Sequence, residues 1–110
     1  MKIKAGDQVT ICHYSDRHAW EVIRATAKRA TLRRLKTTLL NGMDSNEPDR
    51  LVAHPGGFCA HVQGTQRYAY ESVPDGHTTQ IALHADGRWY QCSTQYPVVA
   101  GADEFYDYNF

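Results

Sequence analysis

The side chains with the clearest chemical potential in this sequence are cations concentrated near its amino end. Residues 1–36 hold nine lysines and arginines against three carboxylates, a net charge of +6, and residues 37–110 carry the balancing −6. Guanidinium and ammonium groups bind phosphates and carboxylates, so one side of the folded domain could attract an anionic partner. The alternative is that the two halves neutralise each other in the folded chain.

A basic hairpin over residues 18–36 would carry the strongest anion-binding set. Its cations could contact several phosphates, and the rings of Tyr14, Trp20 and Tyr68 are candidates for base stacking. A pI near 7.0 counts against a dedicated nucleic-acid binder, and a solvated polar face is the alternative. The predicted anion- and nucleic-acid-binding residues are Arg17, Arg24, Lys28, Arg29, Arg33 and Arg34.

Three residues between positions 54 and 61 offer metal-ligating and nucleophilic atoms. His54, Cys59 and His61 are ligand types that zinc accepts, but their spacing matches no standard zinc motif. Cys59 and His61 would share one face of a strand, as a thiolate and its base require, yet no known nucleophile or phosphate-loop motif accompanies them. We therefore expect a binding protein rather than an enzyme, with no cofactor. A buried thiol beside a hydrogen-bonded imidazole is the alternative to a metal site.

The carboxyl end mixes acidic and aromatic side chains, a combination suited to a basic protein surface. Four of the last six residues are aromatic. The alternative role for this segment is a final strand or tail fixed to the domain by ring burial. The predicted partner-binding residues are Asp103, Glu104, Phe105, Tyr106, Asp107 and Tyr108.

Short β-strands must position these side chains in the first half of the chain. Apolar alternation predicts strands over residues 8–14, 18–26 and 30–35, separated by polar turns. Three short strands behind a Gly-Asp pair are typical of small SH3-like barrels. A helix over residues 18–36 is the alternative, since Ala, Arg and Leu favour helices, but the β-branched residues favour strands.

The second half of the sequence predicts a three-stranded antiparallel meander. Its strands cover residues 66–73, 78–83 and 88–92, with Asp-Gly turns between them. Turn formers are dense in residues 36–57, where we expect a long loop. The predicted fold class is therefore all-β: a small SH3-like, partly open barrel followed by a meander, in a single domain of residues 1–110.

Composition indicates a reducing, aqueous compartment. No apolar run reaches the roughly 20 residues of a membrane span, and no signal-like segment opens the chain. Three cysteines without CxxC spacing predict free thiols. We expect a cytoplasmic location without membrane association.

Several segments follow one another along nearly the whole chain: GFCAH at residues 57–61, QRYAYE at 66–71 and FYDYNF at 105–110. In this order they resemble a family of small uncharacterised proteins of tailed phages and prophages. The resemblance implies a phage-derived product that acts in the cytoplasm of a bacterial host cell. It implies no reaction.

The leading functional prediction is a non-enzymatic, phage-type accessory protein that acts by binding. It would inhibit a host or antiviral defence complex, for example of the CRISPR type, because an acidic and aromatic surface suits basic, nucleic-acid-binding partners. One alternative is a small nucleic-acid-binding module that uses the basic hairpin of residues 18–36. Another is a pocket that sequesters an anionic nucleotide.

Overall fold

All regular structure in the described part of the chain is β-strand. The computed structural model describes residues 1–53, 55–56, 59–61 and 65–106, with the backbone alone for residues 59–61. No helix in this part is long and apolar enough to cross a membrane. The strands are β1 (Gln8–His13), β2 (Asp16–Ala25), β3 (Arg29–Arg34), β4 (Lys36–Leu39), β5 (Leu51–Ala53), β6 (Cys59–His61), β7 (Tyr68–Glu71), β8 (Thr78–Leu83), β9 (Trp89–Gln91) and β10 (Tyr96–Ala100).

Six strands close into an antiparallel barrel in the order β1-β10-β9-β8-β3-β2. The all-β, SH3-like prediction is confirmed, and residues 18–36 form strands rather than a helix. The barrel is closed, whereas the sequence predicted a partly open one. Closure occurs because β10 pairs with β1 at residues 98–100, which removes the last free edge.

Apolar alternation in the barrel strands produces a continuous core. Each of the six strands turns at least one buried apolar side chain inward, as the two-residue period of a strand requires. The Trp89 indole also donates a hydrogen bond to the Met1 carbonyl at 3.1 Å, so the amino-terminal segment lies against one end of the barrel. The buried core residues are Val9, Ile11, Trp20, Val22, Ala30, Leu32, Ile81, Trp89 and Val98.

The meander of the second half lies one strand later than the sequence predicted. It consists of β8, β9 and β10 and is part of the barrel rather than an addition to it. The strand predicted over residues 66–73 is β7, which pairs with β4 instead. A strand has only two hydrogen-bonding edges, and β8 uses them for β3 and β9, so β7 has no place beside it.

Residues 36–71, here called the arm, connect barrel strands β3 and β8. The long loop predicted over residues 36–57 was wrong in part, because this stretch contains β4 and β5, while its described turns lie within residues 40–50 and at residues 55–56. The described part of the arm contains two small sheets, β4-β7 and β5-β6.

A single buried amide, that of Asn41, organises the described part of the arm. Asn41 Nδ2 lies 3.0 Å from the Asp49 carbonyl and 2.9 Å from the Thr65 carbonyl, and its Oδ1 accepts the Arg67 N–H at 3.0 Å. Arg67 in turn binds the Asp49 carboxylate through two nitrogens, at 2.7 and 3.0 Å. These polar contacts take the place of a large apolar core in the arm.

Replacing Asn41 by alanine is expected to loosen the arm while leaving the barrel intact. The change removes the hydrogen-bond partner of the Asp49 and Thr65 carbonyls and of the Arg67 N–H, a loss of about 1–3 kcal/mol in local stability. Hydrogen exchange measures this: the Arg67 and Leu51 amides should exchange faster, and the Ile11 amide should not. Asn46→Ala, at an exposed position nearby, is the matched control. Equal acceleration in both variants would contradict the role given to Asn41.

Candidate functional site

The cations predicted as binding residues divide into two groups in the folded chain. Arg17, Arg33 and Arg34 form ion pairs within the protein. Arg24, Lys28 and Arg29 are exposed and take part in none of the ion pairs formed among the described residues. The first group supports the fold, and only the second is free for a ligand.

Arg34 and Glu104 form a buried, two-point ion pair at one end of the barrel. Arg34 Nη2 lies 2.8 Å from Glu104 Oε2, and Nη1 lies 3.0 Å from Oε1. The same Oε1 accepts the Ala19 N–H at 2.8 Å, and His18 Nδ1 lies 3.1 Å from Oε2. Only 7% of Glu104 is exposed. This carboxylate, predicted from the sequence to contact a partner, is an internal group.

The surroundings of Glu104 favour its ionised form. Burial alone would raise the pKa of Glu104, but hydrogen bonds with His18, Arg34 and the Ala19 N–H outweigh burial and hold that pKa below its usual range. The Glu104 N–H also donates to the Tyr70 hydroxyl at 2.8 Å. One residue therefore connects the carboxyl-terminal segment, the barrel and the arm.

The residues around Glu104 are also attached to the barrel. Phe105 and Arg17 exchange two backbone hydrogen bonds of 2.9 Å, and the Arg17 guanidinium lies 4.9 Å from the Phe105 ring centre. Asp103 pairs with Arg17 at 3.2 Å, and the Tyr106 N–H donates to Gln66 at 2.9 Å. Residues 103–106 therefore form a tail that is fixed to the barrel. This is the alternative role that the sequence indicated for the segment, and not a free docking segment. Asp107 and Tyr108 lie outside the described residues.

Arg33 is neutralised on the outer face of the barrel. Its Nε and Nη2 lie 2.9 and 2.7 Å from Glu21 Oε1, and Ser72 Oγ donates to Glu21 Oε2 at 2.6 Å. The hydrogen bond from Ser72, helped by Arg33 and opposed by burial, lowers the pKa of Glu21. Arg33 therefore contributes little net charge to the surface.

Arg24, Lys28 and Arg29 surround the turn between β2 and β3, a surface here called the basic end. Arg24 lies near the end of β2, Lys28 lies in the turn, and Arg29 begins β3. The Thr26 N–H donates to the Arg29 carbonyl at 2.8 Å and fixes this turn. Three like charges remain exposed on one tight hairpin tip.

A β-bulge at Ile23 determines which way Arg24 faces. Val22 pairs with Leu32 in the core, and the next pair along the ladder is Arg24 with Thr31, so Ile23 is an extra residue in β2. Without it, strict alternation would turn Arg24 to the same inward side as Val22. The bulge therefore places Arg24 on the outer face beside Thr31, a side-chain reorientation typical of bulges near functional sites.

A cavity of about 160 Å³ lies between Arg24 and Arg29. Its other polar lining residues are Thr26, Thr31 and Gln80. This volume corresponds to about five waters at roughly 30 Å³ each, enough for a phosphate group. Small-molecule pockets enclose about 300–1,000 Å³, so the cavity is too small for a whole nucleotide.

The basic end continues into a larger groove along the amino-terminal segment. This groove, of about 560 Å³, shares Ala25 and Thr26 with the arginine-lined cavity and is also lined by Lys2 and Lys4. The two lysines are exposed. The cationic surface is therefore elongated rather than a single enclosed pocket.

Part of this surface was missing from the sequence-based prediction. Gln80 reaches the cavity because β8 pairs with β3 across Thr31, a pairing that no local pattern reveals. Two of the three rings proposed for stacking lie away from the basic end. Trp20 lies in the core, and Tyr14 lies at the β1–β2 turn, at the opposite end of β2 from the basic end.

The side chains of the predicted metal site lie outside the described part of the chain. His54 is not among the described residues, and the side chains of Cys59 and His61 are not described. Among the side chains that are described, no group of three or more His, Cys, Asp or Glu residues could hold a metal ion. Cys12 and Cys92 are free thiols, as the sequence predicted.

Glu104→Gln is expected to destabilise the protein by about 2–4 kcal/mol at pH 7, since it removes the buried carboxylate that balances the partly exposed Arg34. The folded pKa of Glu104 is lowered, so its stabilisation is present above the unfolded value near 4.5 and is lost as pH falls through the folded value. Urea denaturation should therefore find a smaller difference between wild type and variant at pH 3 than at pH 7. Glu71→Gln, an exposed carboxylate, is the control. A difference independent of pH would contradict this account.

No protein-family model, curated protein or solved structure matches this chain. The resemblance to tailed-phage and prophage proteins, and the bacterial cytoplasmic location that it implies, therefore stay predictions.

Proposed function

We propose that this protein is a non-catalytic binding module that recognises a nucleic-acid strand at its basic end. One observation carries the proposal: Arg24, Lys28 and Arg29 are exposed together on one hairpin tip and form none of the ion pairs among the described residues, whereas Arg17, Arg33 and Arg34 are paired with carboxylates. Retaining three adjacent like charges costs electrostatic energy in the free protein, and that cost is relieved when an anion binds.

The shape of the basic end supports a polymeric anion over a small one. The cavity between Arg24 and Arg29 has room for one phosphate group, and the adjoining groove adds Lys2 and Lys4. A row of separate cationic positions fits the repeating phosphates of a nucleic-acid backbone. The cavity by itself is too small to enclose a whole nucleotide.

An overall charge of zero is compatible with this proposal. Three ion pairs neutralise charge elsewhere on the protein: Arg17 with Asp103, Arg33 with Glu21, and Arg34 with Glu104. The field near the basic end is set by the charges that remain unpaired there, not by the sum over the chain.

Inhibition of a host or antiviral defence complex stays a separate prediction. Its acidic surface would have to include Asp103 and Glu104, which already bind Arg17 and Arg34. A basic partner would have to displace these internal pairs, so the geometry favours the basic end as the binding surface. A phage-type accessory role remains compatible with a nucleic-acid target.

Arg24→Ala and Arg29→Ala are each expected to weaken binding to a fluorescent oligonucleotide about tenfold in 50 mM salt. Each lost phosphate contact should also reduce the slope of log affinity against log salt by roughly 0.7 for a single strand. Arg50→Ala removes the same charge from an exposed position on the arm and is the matched control. Fluorescence anisotropy across a salt series measures both quantities.

Two results would overturn the proposal. One is the absence of salt-sensitive binding by the wild-type protein to single- or double-stranded oligonucleotides. The other is an equal loss of affinity in Arg50→Ala and Arg29→Ala, which would indicate a nonspecific response to net charge.

A further inference from the structure

A tyrosine lies across the sheet from the basic end, on the same outer face of the barrel. Arg29 of β3 pairs with Ala82 of β8, and Ala82 pairs with Tyr90 of β9, so the three residues form one cross-strand row. Trp89 is buried in the core, and alternation therefore turns Tyr90 outward. Two strand spacings of about 4.8 Å separate Arg29 from Tyr90.

The residue between the cation and the ring is small. Ala82 presents only a methyl group on this face, so a shallow depression lies between the longer side chains of Arg29 and Tyr90. In the next row, Thr31 and Gln80 pair beside Arg24. The outer face of β3, β8 and β9 thus offers cations at one side, a short polar floor and an aromatic ring at the other side.

The Tyr90 ring is held in place before any ligand binds. Its hydroxyl donates to Asp86 Oδ2 at 2.7 Å, and Asp86 Oδ1 accepts the Arg88 N–H at 2.9 Å. The His84 ring meets Tyr90 edge to face, with centres 5.1 Å apart. A contact of this geometry uses at most one face of the tyrosine ring, and a fixed ring loses little conformational entropy on binding.

The charges around this row give a bound strand a preferred side. The hydroxyl end of Tyr90 lies beside both the Asp86 carboxylate and the Arg88 side chain, whose opposite charges offset each other there. Arg24 and Arg29 attract phosphate at the opposite side. A strand lying on this face would therefore direct its backbone toward the arginines and its bases toward the tyrosine.

We infer that the row Arg29–Ala82–Tyr90 is a single-strand-selective site, at which an unpaired base stacks on Tyr90 while its backbone contacts Arg24 and Arg29. The inference rests on the proposed function and specifies its ligand. Bases within a duplex are paired and stacked on each other, so they are not available to a ring on an open protein surface. Single strands expose base faces, and stacking on aromatic side chains tolerates any sequence.

The experiment compares three probes of equal length: oligo(dT), an abasic strand with the same phosphates, and a duplex. The wild-type protein should bind oligo(dT) roughly tenfold more tightly than the abasic strand, and more tightly than the duplex. Tyr90→Ala should remove the difference between oligo(dT) and the abasic strand while leaving abasic binding unchanged. Tyr90→Phe, which keeps the ring and loses only the hydroxyl, should retain most of the difference in affinity between oligo(dT) and the abasic strand.

Tyr14→Ala is the matched control, since Tyr14 is 85% exposed at the other end of the barrel. Equal binding of oligo(dT) and abasic strand by wild type, with both still weakened by Arg29→Ala, would overturn the stacking site and leave the proposed function standing. Tighter binding of the duplex, or equal weakening of both strands by Tyr90→Ala, would also overturn it. Failure to bind any of the three probes would remove both proposals.

Discussion

The ion pair between Arg34 and Glu104 is the contact that joins the barrel, the tail and the arm. Seventy residues separate its partners in sequence, and the pair joins the last barrel residue of β3 to the tail. Through Glu104 it also involves the Ala19 N–H and the Tyr70 hydroxyl. Buried ion pairs seldom add much net stability over apolar packing. Removing one partner, however, leaves the other as an unpaired buried charge, which is strongly destabilising. The pair therefore specifies where the tail lies more than it strengthens the fold.

Barrel closure explains why the arm exists as a separate layer. Every barrel strand uses both of its edges, so residues 36–71 can pair only among themselves. Among the side chains described in this stretch only Asn41 and Leu51 are buried, so the stretch depends on Asn41 and on the Arg67–Asp49 pair. Such polar contacts hold short strands together without requiring a second hydrophobic core.

Local sequence patterns predict β1, β2, β3, β7, β8 and β9, because alternation acts over a few residues, but they miss β4, β5 and β10, the strand that closes the barrel. Residues 8–13, 29–34 and 78–83 fall where the two-residue period of apolar side chains indicates. Local patterns do not predict which strands pair with each other. Nothing near β7 reveals that β8 is already committed to β3, or that Ile23 adds one residue to β2 and reverses the facing of Arg24. The same limit applies to charge. The sequence shows the net charge of each half, but it does not show which individual cations and carboxylates form ion pairs.

The distribution of unpaired charge is therefore more informative than the net charge. A chain with twelve basic and twelve acidic residues could have been neutral everywhere on its surface. Instead, Glu21 and Glu104 are placed against Arg33 and Arg34, and the hairpin tip is left positive. The bulge also turns Arg24 outward at that tip. The backbone geometry and the pattern of ion pairs therefore both leave positive charge exposed at the basic end. That agreement is the strongest physical argument for locating function at the basic end.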